Sequence, residues 1–344
     1  MILNDIHPNA KLGENVKVGN FTTICDDVVI GDGTVIEPNV VIYPGARIGK
    51  NCHIFPGSVI SAIPQDLKFA GEYTTCEIGD NNVIRECCTI NRGTSASGRT
   101  VVGNNNLIMA YVHIAHDCVV GNNCVFANNA TLAGHIIVGD YVILGGKTAC
   151  LQFIHIGSHV ITAGGSLVDK DVPPFFKAAR YPISFAGVNS LGLQRRGFSR
   201  ESINNIADIY RFVFQKGLTI SHAVEEIKER YGHTDEGKQV LSFIGSATTG
   251  LMKGYTFMKK KKKKNQRYMK KIVVVFSLLA MVAVMVGCSE KRCACTTIRG
   301  DHEYESHSLE ALDGHGSCEE LNAEWISTID SVTMLIKTCV PEAN

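Results

Sequence analysis

The chain has 344 residues, of which 45% are hydrophobic and 19% charged, and its formal net charge is +1. This length accommodates two domains. Because no excess of Lys and Arg runs through the body of the chain, the composition argues against a nucleic-acid-binding protein. The 13 cysteines form two groups, eight between Cys25 and Cys150 and five between Cys288 and Cys339, and composition changes sharply between them. The two regions therefore need separate explanations.

An aliphatic residue returns at every sixth position over 12–60, 78–90 and 102–168. Of these 24 positions, 21 are Leu, Ile or Val, and the exceptions are Phe126, Cys150 and Thr162. A helix has a period of 3.6 residues and a lone strand a period of 2, so a strict period of six residues fits neither. The pattern predicts a parallel β-helix, in which short strands stack and neighbouring coils bury a shared core. With three strands in each coil, a turn takes 18 residues and the repeat makes about eight coils.

Small residues occupy two further positions of the hexad. Glycine often follows the aliphatic residue, and we expect these glycines to form the corners of the prism, where the chain bends tightly. Cysteines occupy inward-facing positions and are expected to be buried core thiols rather than ligands or nucleophiles: Cys52, Cys88, Cys118, Cys124 and Cys150. The first region therefore has no disulfide pattern, which favours a cytosolic location.

Two segments, 61–77 and 91–101, interrupt the hexads and return to them in phase. Each is predicted to be a loop that leaves a corner of the prism. Such loops are either tolerated surface insertions or walls of a functional site, and their polar, Gly-containing composition allows both.

Histidines follow the repeat in the second interval. His116 lies two places after Ile114, at a corner, and His113 lies one place before Ile114. His135 follows His116 by 19 residues, one coil plus one, so stacking predicts that these two side chains lie near each other. A corner also allows contact between His116 and Asp117, because consecutive side chains need not alternate there. Imidazole ordinarily titrates near neutrality, which suits a general base.

The hexads together with six further segments resemble the UDP-N-acetylglucosamine O-acyltransferases of lipid A synthesis. The segments are IPQDLKFAGE, CTINRGT, HIAHDCVVGNNC, NNATLAGH, DVPPF and GVNSLGLQRRGFSRE, in order over about residues 1–257. Hexads alone would indicate only the superfamily of hexapeptide acyltransferases and some carbonic anhydrases. The resemblance implies a mainly β fold, a left-handed parallel β-helix of hexapeptide repeats followed by a small α-helical C-terminal region. It also implies a homotrimer, and transfer of an acyl chain from acyl carrier protein to UDP-N-acetylglucosamine.

The resemblance assigns the catalytic roles to three residues. His116 is the expected general base, Asp117 its orienting partner, and the backbone N–H of Gly134 the donor to the oxyanion that forms on the thioester carbonyl. Residues expected to bind or place the substrates are Gln65, Asp66, Lys68, His113, His135, Gly164, Asn189 and Arg195. Gly164 falls where the family measures the acyl chain, and without a side chain it favours a longer chain. No metal and no cofactor are expected.

Two positions depart from the family pattern. Leu151 stands where the family commonly has a histidine, and Leu191 where many members have an acidic residue beside the nucleotide. Leucine provides neither polar group, which leaves the acceptor open between UDP-N-acetylglucosamine and a 3-amino variant of the sugar. Two other functions compete, namely a γ-type carbonic anhydrase with zinc between coils and an inert β-helix scaffold.

Residues 171–174, Asp-Val-Pro-Pro, are expected to end the hexads, because proline interrupts regular strands. Residues 199–257 have helical periodicity, with Ser199 as a cap and Ile203, Ile206, Ile209 and Tyr210 on one stripe. These helices are expected to pack as a small bundle or to offer a basic surface to acyl carrier protein, an acidic partner. The basic residues are Lys177, Arg180, Arg195, Arg196 and Arg200.

The last 87 residues have a different composition. A run of lysines from Met258 precedes 15 apolar residues and Cys288, which resembles a lipoprotein signal peptide and is short for a transmembrane helix. Cys293, Cys295, Cys318 and Cys339 then form an even set for two disulfides outside the cytosol. Because export signals belong at an N-terminus, we interpret this tail as a joined neighbouring reading frame, with a membrane-tethered fusion as the alternative.

The predicted organisation has four parts. Residues 1–188 form the β-helix acyltransferase domain, 189–257 the helical domain, 258–287 the signal segment and 288–344 a small cysteine-containing domain. Residues 1–257 are expected to be cytoplasmic, without membrane contact. A trimer with its site between subunits is predicted, since a three-sided prism suits threefold packing and His116 on a corner would otherwise face open water.

Overall fold

The computed structural model describes residues 3–179, 181–214, 216–254, 292–299, 304–311, 323–326 and 334–341. The chain divides into two compact units, Met1–Phe257 and Met258–Asn344. The basic and apolar segment with Cys288 lies outside the described residues, as do Arg180 and Cys318. Among the helices of the described residues, none combines the length and the apolar character that crossing a membrane requires.

Three parallel sheets form the sides of a prism in the first unit. The first sheet contains Asp5–Ile6, Thr23–Ile24, Val41–Ile42, Val59–Ala62, Thr89–Asn91, His113–Ile114, Thr131–Leu132, Ala149–Cys150 and Leu167–Val168. The second contains Lys11–Leu12, Val29–Ile30, Ala46–Ile48, Thr75–Ile78, Arg99–Val102, Val119–Val120, Ile137–Val138 and His155–Ile156. The third contains Lys17–Val18, Val35–Ile36, His53–Ile54, Val83–Ile84, Leu107–Ile108, Val125–Phe126, Ile143–Leu144, Ile161–Thr162 and Phe176–Ala179.

The register of these sheets explains the hexad. Ile114 pairs with Ile90 below and with Leu132 above, so each aliphatic position stacks on its equivalent in the next coil. Apart from the first coil, these side chains are buried, and the core thiols Cys52, Cys88, Cys118, Cys124 and Cys150 are buried with them. The predicted parallel β-helix is confirmed. We call the turn from the first to the second sheet the first corner, the turn from the second to the third sheet the second corner, and the remaining turn the third corner.

The glycines that follow the aliphatic residues lie at the corners, as predicted, but the conformational reason given for them does not hold. A Cβ on Gly31 would come within 2.6 Å of the backbone of Gly49, so the glycine is needed because neighbouring coils approach closely. The left-handed backbone conformation falls two residues later, at positions such as Asn51 (φ 53°), Tyr141 (φ 58°) and Asp117 (φ 59°). Asn and Asp tolerate this conformation better than most residues, but several of these positions are aromatic.

Both interruptions of the repeat are loops that leave the first corner, as predicted. The segment 63–74 joins Val59–Ala62 to Thr75–Ile78, and 92–98 joins Thr89–Asn91 to Arg99–Val102. The two loops contact each other, because the Asn91 side-chain amide donates to the Ile63 carbonyl and the Ser95 N–H donates to Glu72. They therefore form one continuous wall along the first corner.

The β-helix continues past the two prolines. Phe176–Ala179 still pairs in parallel with Ile161–Thr162, and only then does Ser184–Val188 return antiparallel, with Lys253–Gly254 beside it. The predicted end of the strands at the prolines was therefore one strand too early. The Asp171 carboxylate is fully buried and accepts hydrogen bonds from the backbone N–H groups of His155, Thr248 and Thr249, which fastens the end of the helical region to the prism.

Four helices follow: α1 (Ser190–Arg195), α2 (Arg200–Phe214), α3 (Ile220–Tyr231) and α4 (Asp235–Ser246). The predicted cap is present, since the Ser202 N–H donates to the Ser199 hydroxyl. Ile206, Ile209 and Tyr210 are buried, as the stripe predicted. In the second unit, Arg292–Arg299, Tyr304–Ala311, Ala323–Ile326 and Met334–Pro341 form an antiparallel sheet.

Candidate active site

His116 and Asp117 occupy the first corner between His113–Ile114 and Val119–Val120. Asp117 has a left-handed backbone, which turns its side chain towards that of His116, and Nδ1 of His116 lies 2.7 Å from Oδ2 of Asp117. The predicted contact between the two side chains is confirmed. The His116 side chain is only 12% exposed in the single chain, so the expectation that it would face open water was wrong. Asp117 on the same corner, together with Gly134 and His135 from the next coil, lies against the His116 ring.

The Asp117 carboxylate is completely shielded from solvent and accepts hydrogen bonds on both oxygens. The Thr94 N–H and the Ser97 hydroxyl donate to Oδ1, while the Thr94 hydroxyl and His116 donate to Oδ2. Burial by itself raises the pKa of Asp117, but the hydrogen bonds from Ser97, His116 and Thr94 outweigh it and bring the pKa down to about 2. An ionised carboxylate only accepts hydrogen bonds, so Nδ1 of His116 carries the proton and Nε2 is free to act as a base.

Gly134 lies one coil above His116. A Cβ on Gly134 would come within 2.7 Å of Nε2 of His116, so only glycine lets the imidazole lie against this backbone. Among the described residues, no acceptor takes the Gly134 N–H. An unpaired backbone donor therefore lies beside the free nitrogen of the base, which is the arrangement that an oxyanion donor requires.

The other two histidines flank this pair. The His135 ring lies edge-on to that of His116, with centroids 5.1 Å apart, and stacks on Phe153 at 4.7 Å. The predicted approach of His116 and His135 on adjacent coils is confirmed. Nδ1 of His113 lies 2.7 Å from the Thr89 hydroxyl, and burial, with the nearby His116 as a second cause, lowers the pKa of His113.

The loop residues Gln65, Asp66 and Lys68 leave the same corner two coils below His116. Asp66 accepts the Lys68 N–H at 2.9 Å, while Gln65 and Lys68 are exposed. In the part of the chain that the structure describes, no hydrogen bond or ion pair joins these three side chains to His116. These three residues therefore lie along the loop wall of the first corner and not beside His116, the expected general base.

The remaining expected substrate residues lie elsewhere on the prism. Gly164 follows Ile161–Thr162 and is exposed on the third corner. Asn189 is buried at the second corner, where its side-chain amide donates to the His159 carbonyl, and Arg195 is exposed at the end of α1. A single chain therefore does not bring these residues to His116. Arg196, the residue after Arg195, packs its guanidinium over the ring of Tyr141.

Three contributors to this corner were not found from the sequence. Thr94 and Ser97 belong to a loop without periodicity, and nothing in their spacing indicated that they reach Asp117. Phe153 was detectable in principle, because it follows His135 by one full coil of 18 residues.

Comparisons with known proteins match this architecture. Residues 9–42, 27–62 and 99–134 match the bacterial transferase hexapeptide family, and 171–252 match domain 2 of the UDP N-acetylglucosamine O-acyltransferases. An acyl-(acyl carrier protein)–UDP-N-acetylglucosamine O-acyltransferase of Chlorobium phaeobacteroides is 53% identical over 246 residues, covering 71% of this chain and 93% of the relative. One of Thiobacillus denitrificans is 43% identical over 249 residues, covering 72% and 96%.

Solved structures agree. A UDP-N-acetylglucosamine acyltransferase from Bacteroides fragilis superposes with a TM-score of 0.72 at 48% identity, covering 74% of this chain and all of that chain. A plant member from Arabidopsis gives 0.67 at 32% identity, over 74% and 100%. The chain belongs to the acyl-(acyl carrier protein)–UDP-N-acetylglucosamine O-acyltransferase family.

Membership confirms the predicted acyltransferase class and the left-handed hexapeptide β-helix. It also decides between the competing functions of the chain, in favour of an acyltransferase. His116, Asp117 and His135 have ligand atoms within 4.8 Å of one another, the spacing of a group able to hold a metal ion. The family match nevertheless favours acid–base chemistry over the carbonic anhydrase and scaffold alternatives, and both Asp117 oxygens are already hydrogen-bonded.

Proposed function

We propose that residues 1–257 transfer a (3-hydroxy)acyl chain from acyl carrier protein to the 3-hydroxyl of UDP-N-acetylglucosamine, the first step of lipid A biosynthesis. The observation that supports this most directly is the arrangement at the first corner. A buried, ionised Asp117 fixes the tautomer of His116, and Nε2 of His116 lies beside the unpaired N–H of Gly134. Base and oxyanion donor thus flank one reaction centre.

The proposed mechanism follows from these positions. Nε2 of His116 removes the proton of the sugar hydroxyl as its oxygen attacks the thioester carbonyl. The Gly134 N–H donates to the oxyanion of the tetrahedral intermediate. When the intermediate collapses, the carbon–sulfur bond breaks and the imidazolium returns its proton to the departing thiol, while Asp117 stabilises the transient positive charge. No step requires a metal or a cofactor.

The test is mass spectrometry of the product. The full chain is incubated with UDP-N-acetylglucosamine and a series of acyl carrier protein thioesters, and the expected product is the 3-O-acyl sugar nucleotide. Hydrolysis of the thioesters without an acylated sugar would contradict the proposal. Because Leu151 and Leu191 replace polar residues of the family pattern and are half exposed, the 3-amino sugar nucleotide is the second acceptor to supply. Preferential formation of an amide would assign the variant acceptor.

We propose a homotrimer with the site between subunits. The support is the distribution of expected residues over three corners: His116 on the first, Asn189 on the second and Gly164 on the third. A threefold assembly brings different corners of neighbouring prisms together, so each site would combine residues that one chain keeps apart. A fully active monomer in sedimentation would contradict this arrangement.

We propose that the exposed basic residues Lys177, Arg195 and Arg200, with the half-buried Arg196, attract the acidic carrier protein. Charge reversal at Arg200 should raise the KM for acyl carrier protein at low salt, and leave the KM for the sugar nucleotide unchanged.

For the tail we propose that 258–287 is a lipoprotein-type signal of a separate reading frame, and that 288–344 is a small domain with two disulfides. Residues 1–257, proposed to be cytoplasmic, would then suffice for activity. A protein ending at residue 257 should be as active as the full chain. If it is inactive while the full chain works, the interpretation as joined frames fails.

A further inference from the structure

The 92–98 loop is attached directly to the catalytic corner. Thr94 is buried, its hydroxyl lies 2.7 Å from Oδ2 of Asp117, and its N–H lies 2.9 Å from Oδ1. The same hydroxyl accepts the Ala96 N–H at 3.2 Å, which leaves its single proton for the carboxylate. Thr94 is therefore held in the orientation in which it donates to Asp117.

Ser97 approaches the carboxylate from the other end of the loop. Its hydroxyl contacts Oδ1 of Asp117 and also lies 2.9 Å from the Arg99 carbonyl. One proton serves only one acceptor, and the ionised carboxylate is the stronger of the two. The backbone of Asp117 is fixed as well, because its N–H donates to the buried Thr100 hydroxyl at 2.9 Å.

We propose that Thr94 and Ser97 are positioning residues, which hold the Asp117 carboxylate and through it the His116 ring in the orientation that acyl transfer needs. This inference rests on the proposed function. A carboxylate with four donors cannot rotate without losing a charge-assisted hydrogen bond, so the direction in which it accepts from His116 is fixed. The loop thus serves catalysis without touching the substrate.

The contacts also set the electrostatics of the base. Each donor disperses the negative charge of Asp117, so removing one lets the carboxylate stabilise the imidazolium of His116 more strongly. The titratable groups that face Asp117 are His116 on its own corner, His135 from the next coil and the thiol of Cys118. Burial raises the pKa of Cys118 to about 12, so this thiol stays neutral in the working range.

The test uses four variants of the full chain. Thr94→Val removes the hydroxyl and keeps the shape, Thr94→Ser restores a hydroxyl, and Ser97→Ala removes the second donor. Ser95→Ala is the matched control, because Ser95 lies in the same loop and only its backbone N–H, which the variant keeps, is bonded to Glu72, while neither group donates to Asp117. We expect Thr94→Val and Ser97→Ala to lower kcat by roughly tenfold, the effect of one charge-assisted hydrogen bond, with KM unchanged. The acid limb of the kcat profile should move to higher pH, and Thr94→Ser should stay near wild type.

A second measurement does not depend on acyl transfer. Diethylpyrocarbonate modifies neutral imidazole, so the pH dependence of His116 modification, followed by peptide mass spectrometry, reports its protonation directly. In Thr94→Val and Ser97→Ala, the pH dependence of His116 modification should shift to higher pH. If both variants match Ser95→Ala in kcat and in modification, the inference is overturned. If the wild type transfers no acyl group, the proposed function fails, while the modification profiles still decide the role of the loop.

An independent observation concerns the second unit. Arg292–Arg299 pairs antiparallel with Met334–Pro341, and Cys295 is the direct partner of Cys339 in this register, while Cys293 is opposite Pro341. Directly opposite residues of antiparallel strands have Cα atoms about 4.5–5.5 Å apart, inside the range that a disulfide spans.

We infer that Cys295 and Cys339 form a disulfide. Two thiols lose two protons and two electrons to a small-molecule disulfide oxidant, which is reduced to two thiols as the sulfur–sulfur bond forms. Peptide mapping of the full chain in oxidised glutathione should give a peptide that links 295 to 339 and separates on reduction. Cys295→Ser and Cys339→Ser should each abolish it, and Cys293→Ser should retain it. Exclusive linkage through Cys293, or no linkage, would overturn the assignment.

Discussion

The first and second corners of the prism have the same backbone path and use it differently. At the second corner, the side chain two residues after each aliphatic position accepts a backbone N–H from the coil below. Asn104 accepts from Asp80, Asn122 from Asn104 and Asp140 from Asn122, at 2.6–2.8 Å, and we call this series of hydrogen bonds the ladder. At the first corner the equivalent positions are His116, Gly134 and Gln152, and no such bond forms among the described residues. Instead the His116 ring contacts Asp117 and His135, and the Gly134 N–H stays unpaired within the described residues.

The difference shows how one repeat supports both stability and chemistry. A hydrogen-bonded ladder satisfies backbone donors and leaves nothing for a ligand. Because Gln152 does not accept the Gly134 N–H, the ladder is interrupted and a donor is left beside His116, where a polar transition state provides the missing acceptor. The two corners should therefore respond in opposite ways to substitution.

The largest effect is expected for His116→Ala. Turnover should fall by about 10²–10⁴-fold, the range for losing a general base, with little change in KM. His135→Ala should instead raise KM more than it lowers kcat, since the ring stacks on Phe153 and its Nε2 lies 3.7 Å from Oδ2 of Asp117, beyond hydrogen-bond distance. Steady-state kinetics separates the two, and near-normal turnover in His116→Ala would remove the assignment of the base.

Extending the ladder to the first corner should also reduce activity. Gln152→Asp places a short carboxylate where Asp140 stands at the second corner, so it can accept the Gly134 N–H. Occupying the oxyanion donor should lower kcat by about 10²-fold. Gln152→Ala is the control, because it removes the side chain without offering an acceptor. Equal effects of the two variants would show that this N–H is not used.

Asp117→Asn should change stability in a pH-dependent way. The folded pKa of Asp117 is about 2, below the unfolded value of about 3.9, so the ionised group contributes stability above the unfolded pKa and loses it as pH falls through the folded one. The contribution amounts to about 2 kcal/mol near pH 7. Urea unfolding should show Asp117→Asn less stable than wild type at pH 7 and nearly equal near pH 2. A difference that is independent of pH would contradict this linkage.

The smallest effect is expected at the ladder. Asn122→Ala removes the acceptor of the Asn104 N–H, and because the site is partly exposed, water replaces part of the bond. The free energy of unfolding should fall by about 1 kcal/mol, with kcat and KM unchanged. A large loss of activity in Asn122→Ala would mean that the two corners are not separable.

The sequence by itself determined everything that follows from the period. A hexad stacks each aliphatic side chain on its equivalent, so the core, the buried thiols and the approach of His116 to His135 could be read from spacing alone. Residue types at the first corner, with the resemblance, then indicated a base and its partner.

The tertiary structure decided what the period does not encode. The 92–98 loop has no repeat, so only its path in space shows that Thr94 and Ser97 reach Asp117. The role of the glycines also depended on distances between coils rather than on conformation within one coil. Likewise the spacing could not reveal that Asn189 lies on another corner than His116, because packing decides the corner at which a terminal segment ends. Periodic contacts are local and one-dimensional, whereas these contacts are long-range and depend on the assembled prism.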